Sequence, residues 1–370
     1  MRVPFVDLKS QQEEIDAEVR AGLDEVFATT AFVGGPAVAR FEAAYAAAIG
    51  VSHAVGVANG TDALELALRA VGVTPGGEVI LPANTFIATA EAASRIGAVP
   101  VPVDVDPVHL LIDPDAVRAA LTPRTQAVVP VHLFGQVAPV EVLMKIAADA
   151  GVPLVEDAAQ SQGARRLGQP AGSFGLAAGT SFYPGKNLGA AGDAGAVLTD
   201  DADVARTVRV LAAHGSAHKY DHELIGMNSR LDTVQAVVLE AKLARLAGWN
   251  ERRRAAAAYY GELLAGVAGV QVPVSVEGNE DVWHLYVVQV DERDRVLQEL
   301  TDSGVGVGIH YPVPVHLTGA YAHLGLRRGS FPVAEAAAGR ILSLPMFPHL
   351  THVQQERVVE VLRSSLRGPA

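Results

Sequence analysis

Between residues 53 and 157 the sequence alternates short apolar runs with helix-forming stretches, and this alternation constrains the fold most. The runs that predict strands are 53–58, 78–81, 99–103, 127–131 and 152–157. The stretches that predict helices are the one after Asn59, 87–96, 114–120 and 140–150. Parallel strands need crossover connections, so such alternation predicts an α/β fold with a mainly parallel central sheet covered by helices.

The first fifty residues predict two helices. Ser10-Gln11-Gln12-Glu13 has the form of a capping box, and four apolar residues follow it at spacings of three and four, namely Ile15, Val19, Leu23 and Val26. We therefore expect an amphipathic helix that packs on a neighbour. A second helix is predicted to end near Ile49, after the break at Gly34-Gly35-Pro36.

The second half of the chain predicts a smaller domain. After a strand over 194–199 and a helix over 203–213, residues 214–232 form a long polar segment that precedes a helix pattern over 233–264. Beyond it we expect a small α+β domain with strands near 270–272, 283–290 and 305–309 and a helix over 293–303. We place the boundary near Asn250, which gives a large domain over 1–250 and a small C-terminal domain over 251–370.

Composition excludes several classes of function. The formal charge of −12 argues against binding to a phosphate backbone, and the absence of cysteine excludes disulfides and thiolate metal sites. Neither a signal peptide nor a membrane span is predicted, so we expect a cytoplasmic protein with no membrane or nucleic-acid partner. His214, His218 and His222 recur every four residues, but because no cluster of acidic residues accompanies them a structural role is favoured over a metal site.

Residues 180–193 break an apolar run into a glycine-rich loop that carries one lysine, Lys186. The loop is not a phosphate-binding P-loop, because Thr180 takes the position of the first glycine and Asn187 follows the lysine where Ser or Thr is needed. The remaining chemical interpretation is a lysine that forms a Schiff base, which other parts of the chain must support.

Three other features support that chemistry. Asp157 ends an apolar strand, with Gln160 in the same loop, although Asp157 could equally cap the next segment. The turn at 59–62 leads from a strand into a helix start that suits a phosphate, although this turn taken alone favours a simple helix cap. Phe86 offers an aromatic face. Pyridoxal phosphate needs this set: an amine, a carboxylate at its ring nitrogen, donors for its phosphate and a stacking ring.

The sequence resembles the DegT/DnrJ/EryC1/StrS family of sugar aminotransferases, which are fold type I pyridoxal phosphate enzymes with an aspartate-aminotransferase-like large domain. The resemblance covers nearly the whole chain. Its most specific motifs are Asn59-Gly60-Thr61-Asp62-Ala63-Leu64, Pro82-Ala83-Asn84-Thr85-Phe86, Pro130-Val131-His132-Leu133-Phe134-Gly135, Val155-Glu156-Asp157-Ala158-Ala159-Gln160, Ser181-Phe182-Tyr183-Pro184-Gly185-Lys186-Asn187-Leu188-Gly189 and Asn228-Ser229-Arg230-Leu231-Asp232.

The resemblance implies roles for individual residues. Lys186 would hold the cofactor covalently and move the proton between substrate and cofactor. Asp157 would pair with the ring nitrogen, Gln160 with the ring hydroxyl, and Phe86 would stack on the ring. The resemblance further implies that the phosphate would be held by Gly60, Thr61, Ser181 and, from the partner subunit of an obligate homodimer, Asn228.

The resemblance also implies a substrate class. L-glutamate would donate the amino group to a dTDP-linked 3-keto- or 4-keto-6-deoxyhexose in deoxyaminosugar biosynthesis. Relatives that carry out dehydration have histidine in place of the lysine, so Lys186 favours transamination. The implied sugar-nucleotide contacts are Tyr183, Lys219, Tyr220, His310, Tyr311 and His316. For His316, a hydrogen-bonded histidine in a proline-stiffened loop is an equal alternative.

Two other functions remain to be weighed against this one. A regulatory protein of the same fold could bind sugar nucleotide without turnover, although it would not need to keep Lys186, Asp157 and Gln160 together. A nicotinamide-dependent oxidoreductase would need a glycine-rich dinucleotide turn, which the 59–62 turn lacks.

Overall fold

The computed structural model of the protein describes residues 1–218 and 220–367. The helices of this part of the chain are α1 Leu8–Glu13, α2 Asp16–Thr29, α3 Pro36–Ile49, α4 Gly60–Ala70, α5 Ile87–Arg95, α6 Pro114–Ala120, α7 Val140–Ala150, α8 Ala202–Ala212, α9 Thr233–Leu264, α10 Arg293–Asp302, α11 Pro332–Ala338 and α12 His352–Leu366. None of them is long and apolar enough to cross a membrane.

The strands in the described residues are β1 His53–Val57, β2 Glu78–Pro82, β3 Val99–Val103, β4 Thr125–Val128, β5 Val155–Asp157, β6 Arg165–Arg166, β7 Gln169–Pro170, β8 Ala177–Ser181, β9 Gly195–Thr199, β10 Ser216–His218, β11 Asp221–His222, β12 Val270–Gln271, β13 Asn279–Glu280, β14 Tyr286–Val290 and β15 Ile341–Leu344. The alternation predicted over 53–157 is confirmed element by element.

Seven of these strands form the central sheet. Two groups, β3-β2-β4 and β5-β8-β9-β1, are joined by parallel bridges from Val128 to Leu154 and from Val131 to Asp157. Only β9 runs antiparallel to its neighbours, which confirms a mainly parallel sheet. Because β9 reverses direction between β8 and β1, the carboxyl ends of β1, β2, β4, β5 and β8 all lie at one edge of the sheet.

Helices cover both faces of this sheet. In β2, Val79 and Leu81 belong to one buried cluster and Ile80 to another, and all three side chains are fully buried. Successive strand side chains point to opposite faces, so both faces must be packed. The apolar run of β2 follows from this two-sided burial.

The first helix begins earlier than predicted, at Leu8. Asp7 caps α1 by accepting a hydrogen bond from the Ser10 N–H at 3.1 Å, so Ser10 lies inside the helix and the predicted capping box is wrong. The amphipathic pattern itself is confirmed, because Ile15 and Val19 of this region are buried against Trp249 of α9.

The C-terminal part has its own sheet, in the order β12-β14-β15. The strand predicted over 305–309 is wrong, because that segment makes only single bridges, from Val305 to Val3 and from Gly308 to Ser343. It runs beside the amino-terminal residues so closely that a Cβ on Gly306 would lie 2.5 Å from the Phe5 nitrogen. The third strand is β15, which the sequence pattern did not reveal.

The long helix α9 carries side chains of both parts of the protein. Leu239 and Leu246 belong to the cluster that includes Phe182 of the large domain, whereas Tyr260 and Leu264 belong to the cluster of the C-terminal sheet. The predicted boundary near Asn250 falls inside this helix and remains a prediction.

Phe182 anchors the start of the lysine loop, and its removal provides a test of the fold. The ring is fully buried and meets Phe41 and Tyr45 edge to face at 5.5 Å and 5.2 Å. We expect Phe182→Ala to lower the free energy of unfolding by about 3–5 kcal/mol, because it leaves a cavity. Urea unfolding followed by circular dichroism measures the change. The control Val353→Ala, at a residue that is 62% exposed, should change the free energy of unfolding little. Equal effects of the two substitutions would contradict the assignment of Phe182 to the buried core.

Candidate active site

Apart from Asn228, the predicted cofactor residues assemble at the carboxyl edge of the central sheet, where ligands bind in open α/β folds. Each lies at or just after the end of a strand whose carboxyl end is at this edge. After β1 come Gly60 and Thr61, after β2 comes Phe86, at and after the end of β5 are Asp157 and Gln160, and at and after the end of β8 are Ser181 and Lys186.

Lys186 projects from the loop after β8. Its backbone N–H donates to the Tyr183 carbonyl at 2.8 Å, which closes the turn that presents the side chain. Burial lowers the pKa of the Lys186 amine to about 8, while the negative charge of Asp157 acts in the opposite direction. A larger fraction of the amine is therefore neutral near physiological pH than for an exposed lysine.

Asp157 is a buried carboxylate with few donors. Its Oδ2 accepts from the Thr89 hydroxyl at 2.7 Å and its Oδ1 from the Ala159 N–H at 3.1 Å. Burial raises the pKa of this carboxyl, while those two donors and the charge of Lys186 lower it. A buried carboxylate with this few donors is suited to a cationic N–H partner such as a protonated ring nitrogen.

Gly60 and Ser181 form one wall of a cradle. A Cβ on Gly60 would lie 2.6 Å from the Ser181 Cβ, so only glycine permits this approach. Asn59 caps α4 by accepting from the Asp62 N–H at 2.8 Å, and the Gly60 and Thr61 N–H groups have no hydrogen-bond acceptor among the described residues. Free N–H groups at a helix start beside a hydroxyl fit a phosphate.

The side chain of Gln160 is held in one orientation. Its Oε1 accepts from the Phe134 N–H at 2.7 Å, so its amide nitrogen is the donor to the Tyr311 hydroxyl at 3.0 Å. The Tyr311 ring lies 5.2 Å from that of Phe86, which is 51% exposed. An exposed aromatic face at this edge of the sheet is available for stacking on a planar ligand.

Several predicted sugar contacts also surround the lysine. Tyr183 is exposed, and Tyr311 is placed by Gln160. His310 shares a hydrogen bond between its Nδ1 and the Ser343 hydroxyl at 2.8 Å. Burial lowers the pKa of His310 to about 4, and the positive charge of Lys186 adds to the effect, so this imidazole is neutral. Tyr220 is exposed beside the β10–β11 hairpin, and Lys219 lies outside the described residues.

His316 and Asn228 are placed differently. His316 is buried and bonded through Nε2 to a Glu335 carboxylate oxygen at 2.9 Å, with its ring against that of Phe331. This placement favours the alternative of a structural histidine. Asn228 is exposed, while the hydroxyl of the next residue, Ser229, accepts from the Ala58 N–H just after β1.

Three residues around the site were not predicted. Thr89 lies three residues after Phe86 on α5, and that helical spacing could have revealed it. Asn187 follows the lysine, and His284, from the Trp283-His284-Leu285-Tyr286 segment, bonds to its Oδ1 through Nδ1 at 3.2 Å. Nothing local marks this pair, because the two residues are far apart in sequence.

Across residues 1–218 and 220–367 no group of three His, Cys, Asp or Glu side chains is placed to hold a metal ion. The His222 imidazole instead bonds through Nδ1 to the His214 carbonyl oxygen at 2.9 Å. The residues that do assemble, an amine of lowered pKa, a carboxylate short of donors and an anion cradle, fit pyridoxal phosphate.

Known proteins resemble this chain over almost its whole length. It is 47% identical over 362 residues to the dTDP-3-amino-3,4,6-trideoxy-alpha-D-glucose transaminase of Streptomyces venezuelae, covering 98% of this chain and 96% of that protein. The X-ray structure of DesV from S. venezuelae matches with a TM-score of 0.97 at 46% identity, over 100% of both chains. NtdA from Bacillus subtilis, solved with the bound cofactor PMP, matches with a TM-score of 0.91 at 31% identity, over 99% of this chain and 85% of that one.

The match to the family is equally broad, since the model of the DegT/DnrJ/EryC1/StrS aminotransferase family covers residues 13–363. This extent includes every candidate residue of the site. The predicted fold type I architecture and the predicted dependence on pyridoxal phosphate are confirmed. The chain belongs to the DegT/DnrJ/EryC1/StrS family and is an aminotransferase.

Proposed function

We propose that this protein transfers the amino group of L-glutamate to C3 of a dTDP-linked 3-keto-6-deoxyhexose. The observation that carries the proposal is Lys186, an amine of lowered pKa that interacts with the buried Asp157 at the same edge as the Gly60–Ser181 cradle. The choice of C3 is supported by the S. venezuelae relative, whose name specifies a 3-amino sugar on dTDP.

Each residue of the site has a task in this proposal. Bound pyridoxal phosphate would act as an electron sink for the carbon that loses its proton. Asp157 would hold the ring nitrogen, and Gly60, Thr61 and Ser181 would hold the phosphate. Phe86 would stack on the ring, and Gln160 would direct its fixed N–H donors toward the ring hydroxyl.

Lys186 would carry the proton. A general base works best when its pKa lies near the working pH, and burial brings this amine to about 8. Asp157 prevents a larger decrease, because its negative charge favours the ammonium. The amine is therefore able both to accept a proton and to release it.

The sugar nucleotide would be bound by side chains on the open side of the lysine. Tyr183 lies three residues before Lys186 and is 59% exposed, which suits a stacking or hydroxyl contact with the sugar. His310 and Tyr311 would face the sugar as neutral hydrogen-bonding groups, because burial raises the pKa of the Tyr311 phenol. Lys219 and Tyr220 remain proposed contacts.

The active form would be a homodimer. Phe27 and Phe32 make an exposed edge-to-face pair at 5.6 Å, and Val33 beside them is 51% exposed. Val33 bridges Asp232, in the same motif as Asn228. An exposed apolar patch beside this polar motif supports contact with a second copy, into whose site Asn228 would reach.

A non-catalytic sugar-nucleotide-binding protein of the same fold is less well supported. Binding alone needs neither an amine of lowered pKa nor a buried carboxylate opposite it, and both cost folding free energy. Their assembly beside Gln160 therefore favours turnover.

The substrate is tested by incubating the protein with pyridoxal phosphate, glutamate and, separately, dTDP-3-keto- and dTDP-4-keto-6-deoxyglucose. We expect amination of the 3-keto sugar, with the new C–N bond located by NMR. Lys186→Ala should fold, as judged by circular dichroism, and lose turnover. Amination at C4 would contradict the regiochemistry, and no amination of either sugar would contradict the substrate class.

The state of the lysine is tested by its reactivity. In cofactor-free protein, acylation of Lys186 followed by peptide mass mapping should rise with pH through a midpoint near 8, because only the neutral amine reacts. The exposed Lys9 provides an internal reference in the same digest. Asp157→Asn should lower the midpoint, since a negative charge that favours the ammonium is lost. If Lys186 of the parent protein showed a midpoint near that of Lys9, the lowered pKa of Lys186 would be refuted.

The shared site is tested by complementation between Lys186→Ala and Asn228→Ala. Each variant alone should be strongly impaired. If Asn228 serves the partner's site, a mixed dimer has one intact site, so equimolar refolding should recover about a quarter of the parent sites. If Asn228 serves its own chain, mixing recovers nothing, and the shared site is disproved.

A further inference from the structure

Two threonine hydroxyls connect the start of α5 to the buried carboxylate of the site. The Thr89 hydroxyl donates to the Asp157 Oδ2 at 2.7 Å, and the Thr85 hydroxyl lies 2.8 Å from that of Thr89. Thr85 lies just before α5 and Thr89 lies in its first turn, four residues later. Both threonines are buried, so these hydrogen bonds are shielded from solvent.

This chain of hydrogen bonds has a direction, because each threonine hydroxyl carries one proton. The oxygens of an ionised Asp157 can only accept, so the Thr89 proton is directed to Oδ2. The Thr89 oxygen is then free to accept, and the Thr85 hydroxyl is its donor. The other acceptor near the Thr89 hydroxyl, the Phe86 carbonyl oxygen, is uncharged and farther away, at 3.3 Å. The direction from Thr85 through Thr89 to Asp157 therefore belongs to the ionised carboxylate.

The carboxylate is held at both of its oxygens. Thr89 binds Oδ2 from α5, and the Ala159 N–H donates to Oδ1 at 3.1 Å from the loop after β5. Rotation of the carboxylate would break at least one of these bonds. The Thr85 hydroxyl makes no further hydrogen bond within residues 1–218 and 220–367, so its contact with Thr89 is the one that it makes in this part of the chain.

We propose that Thr85 and Thr89 are positioning residues, whose hydrogen bonds keep Asp157 ionised and oriented so that it can hold the ring nitrogen of the cofactor in its protonated form. As a role in amino transfer, this inference rests on the proposed function and on the pairing of Asp157 with the ring nitrogen. The threonine hydrogen bonds themselves are a property of the chain without cofactor.

The two hydroxyls are needed because burial opposes the charge of Asp157. Burial raises the pKa of this carboxyl, and the hydrogen bond from Thr89 acts against that effect. A hydroxyl that accepts a hydrogen bond becomes a stronger donor, so Thr85 strengthens the bond that Thr89 makes. A protonated carboxyl would have no negative charge with which to hold a protonated ring nitrogen, the form in which the cofactor is an electron sink.

Three substitutions separate the hydroxyls from the packing around them. Thr89→Val replaces the hydroxyl by a methyl group of similar size, whereas Thr89→Ser keeps the hydroxyl and loses the methyl group. Thr85→Val removes only the second hydroxyl. Thr199→Val is the matched control, because Thr199 is equally buried and its hydroxyl donates to the Leu176 carbonyl at 2.7 Å, at the opposite end of β8 from the site.

The first readout is the pKa of Asp157 in cofactor-free protein. Infrared difference spectroscopy follows the C=O band of the protonated carboxyl as the pH changes, and the band of Asp157 is identified by its absence from Asp157→Asn. The titratable groups that interact electrostatically with this carboxyl are Lys186, His132 and Tyr311, and all three are the same in every threonine variant. A shift between variants therefore reports the threonine hydroxyls.

Removing a donor disfavours the carboxylate, so Thr89→Val should raise the pKa of Asp157 by about one, a tenfold change in the protonation equilibrium. Thr85→Val should raise it by a smaller amount, while Thr89→Ser and Thr199→Val should leave it near the parent value. No shift in Thr89→Val, or equal shifts in Thr89→Val and Thr89→Ser, would overturn the proposal. If Thr89→Val fails to fold, as judged by circular dichroism, Thr85→Val decides, and its lack of a shift overturns the proposal.

The second readout is the ring nitrogen of bound pyridoxal phosphate labelled there with 15N. Its NMR signal should be that of a protonated nitrogen in the parent and in Thr89→Ser, and should move toward the unprotonated position in Thr89→Val. A nitrogen that stays protonated in Thr89→Val would overturn the role toward the cofactor. If the parent nitrogen itself is unprotonated, the pairing in the proposed function fails, while the infrared titration still decides whether the threonines stabilise the charge of Asp157.

Discussion

The hydrogen bonds of Asn187 determine where the reactive lysine stands. The side chain follows Lys186 directly, is buried, and donates both to α9 at Asn250 and to the segment entering the C-terminal sheet at Val282. Leaving a buried polar group without its partner costs about 1–3 kcal/mol. The loop therefore cannot shift without losing bonds to both, and Lys186 keeps one position relative to the two parts of the protein.

Two adjacent carboxylates on β5, Glu156 and Asp157, differ in how many hydrogen-bond donors surround them. Glu156 and Asp157 point to opposite faces, as neighbours on a strand must. Glu156 accepts from the N–H groups of Gly172, Phe174 and Gly175 and lies 2.7 Å from the His132 ring, so its oxygens are well supplied with donors. Asp157 has two donors and a raised pKa. Incomplete compensation of a buried charge is typical of a functional site, and of these two neighbours Asp157 is the one that has it.

The sequence was sufficient to predict the site residues whose position follows from the order of strands and helices along the chain. Asp157 and Ser181 end strands and Lys186 follows one, and the parallel topology brings those strand ends to one edge of the sheet. The family resemblance then named their roles, which the structure leaves as predictions. His284 could not be found this way, because it is linked to the lysine loop by a hydrogen bond to Asn187, a residue far away in the sequence. The cap at Asp7 was missed because Ser10 also has the form of a helix cap, and Asp7 lies only three residues before it. The strand β15 was missed because it is short and apolar, a pattern that does not distinguish a strand from a helix.

Arg253 places a buried positive charge at the junction between the two parts of the chain. Its guanidinium is buried, and among the described residues it is bonded to backbone carbonyls rather than to a carboxylate. Burial lowers the pKa of Arg253 to about 9, so it still carries its charge at neutral pH. An unneutralised positive charge disfavours a second one nearby, which helps to keep His284 neutral. The same carbonyl bonds hold the backbone of residues 283 and 284 against α9. Arg253 thus helps to hold the backbone of His284 in place, and its charge adds to the effects of burial and of Lys186, which lower the pKa of that histidine.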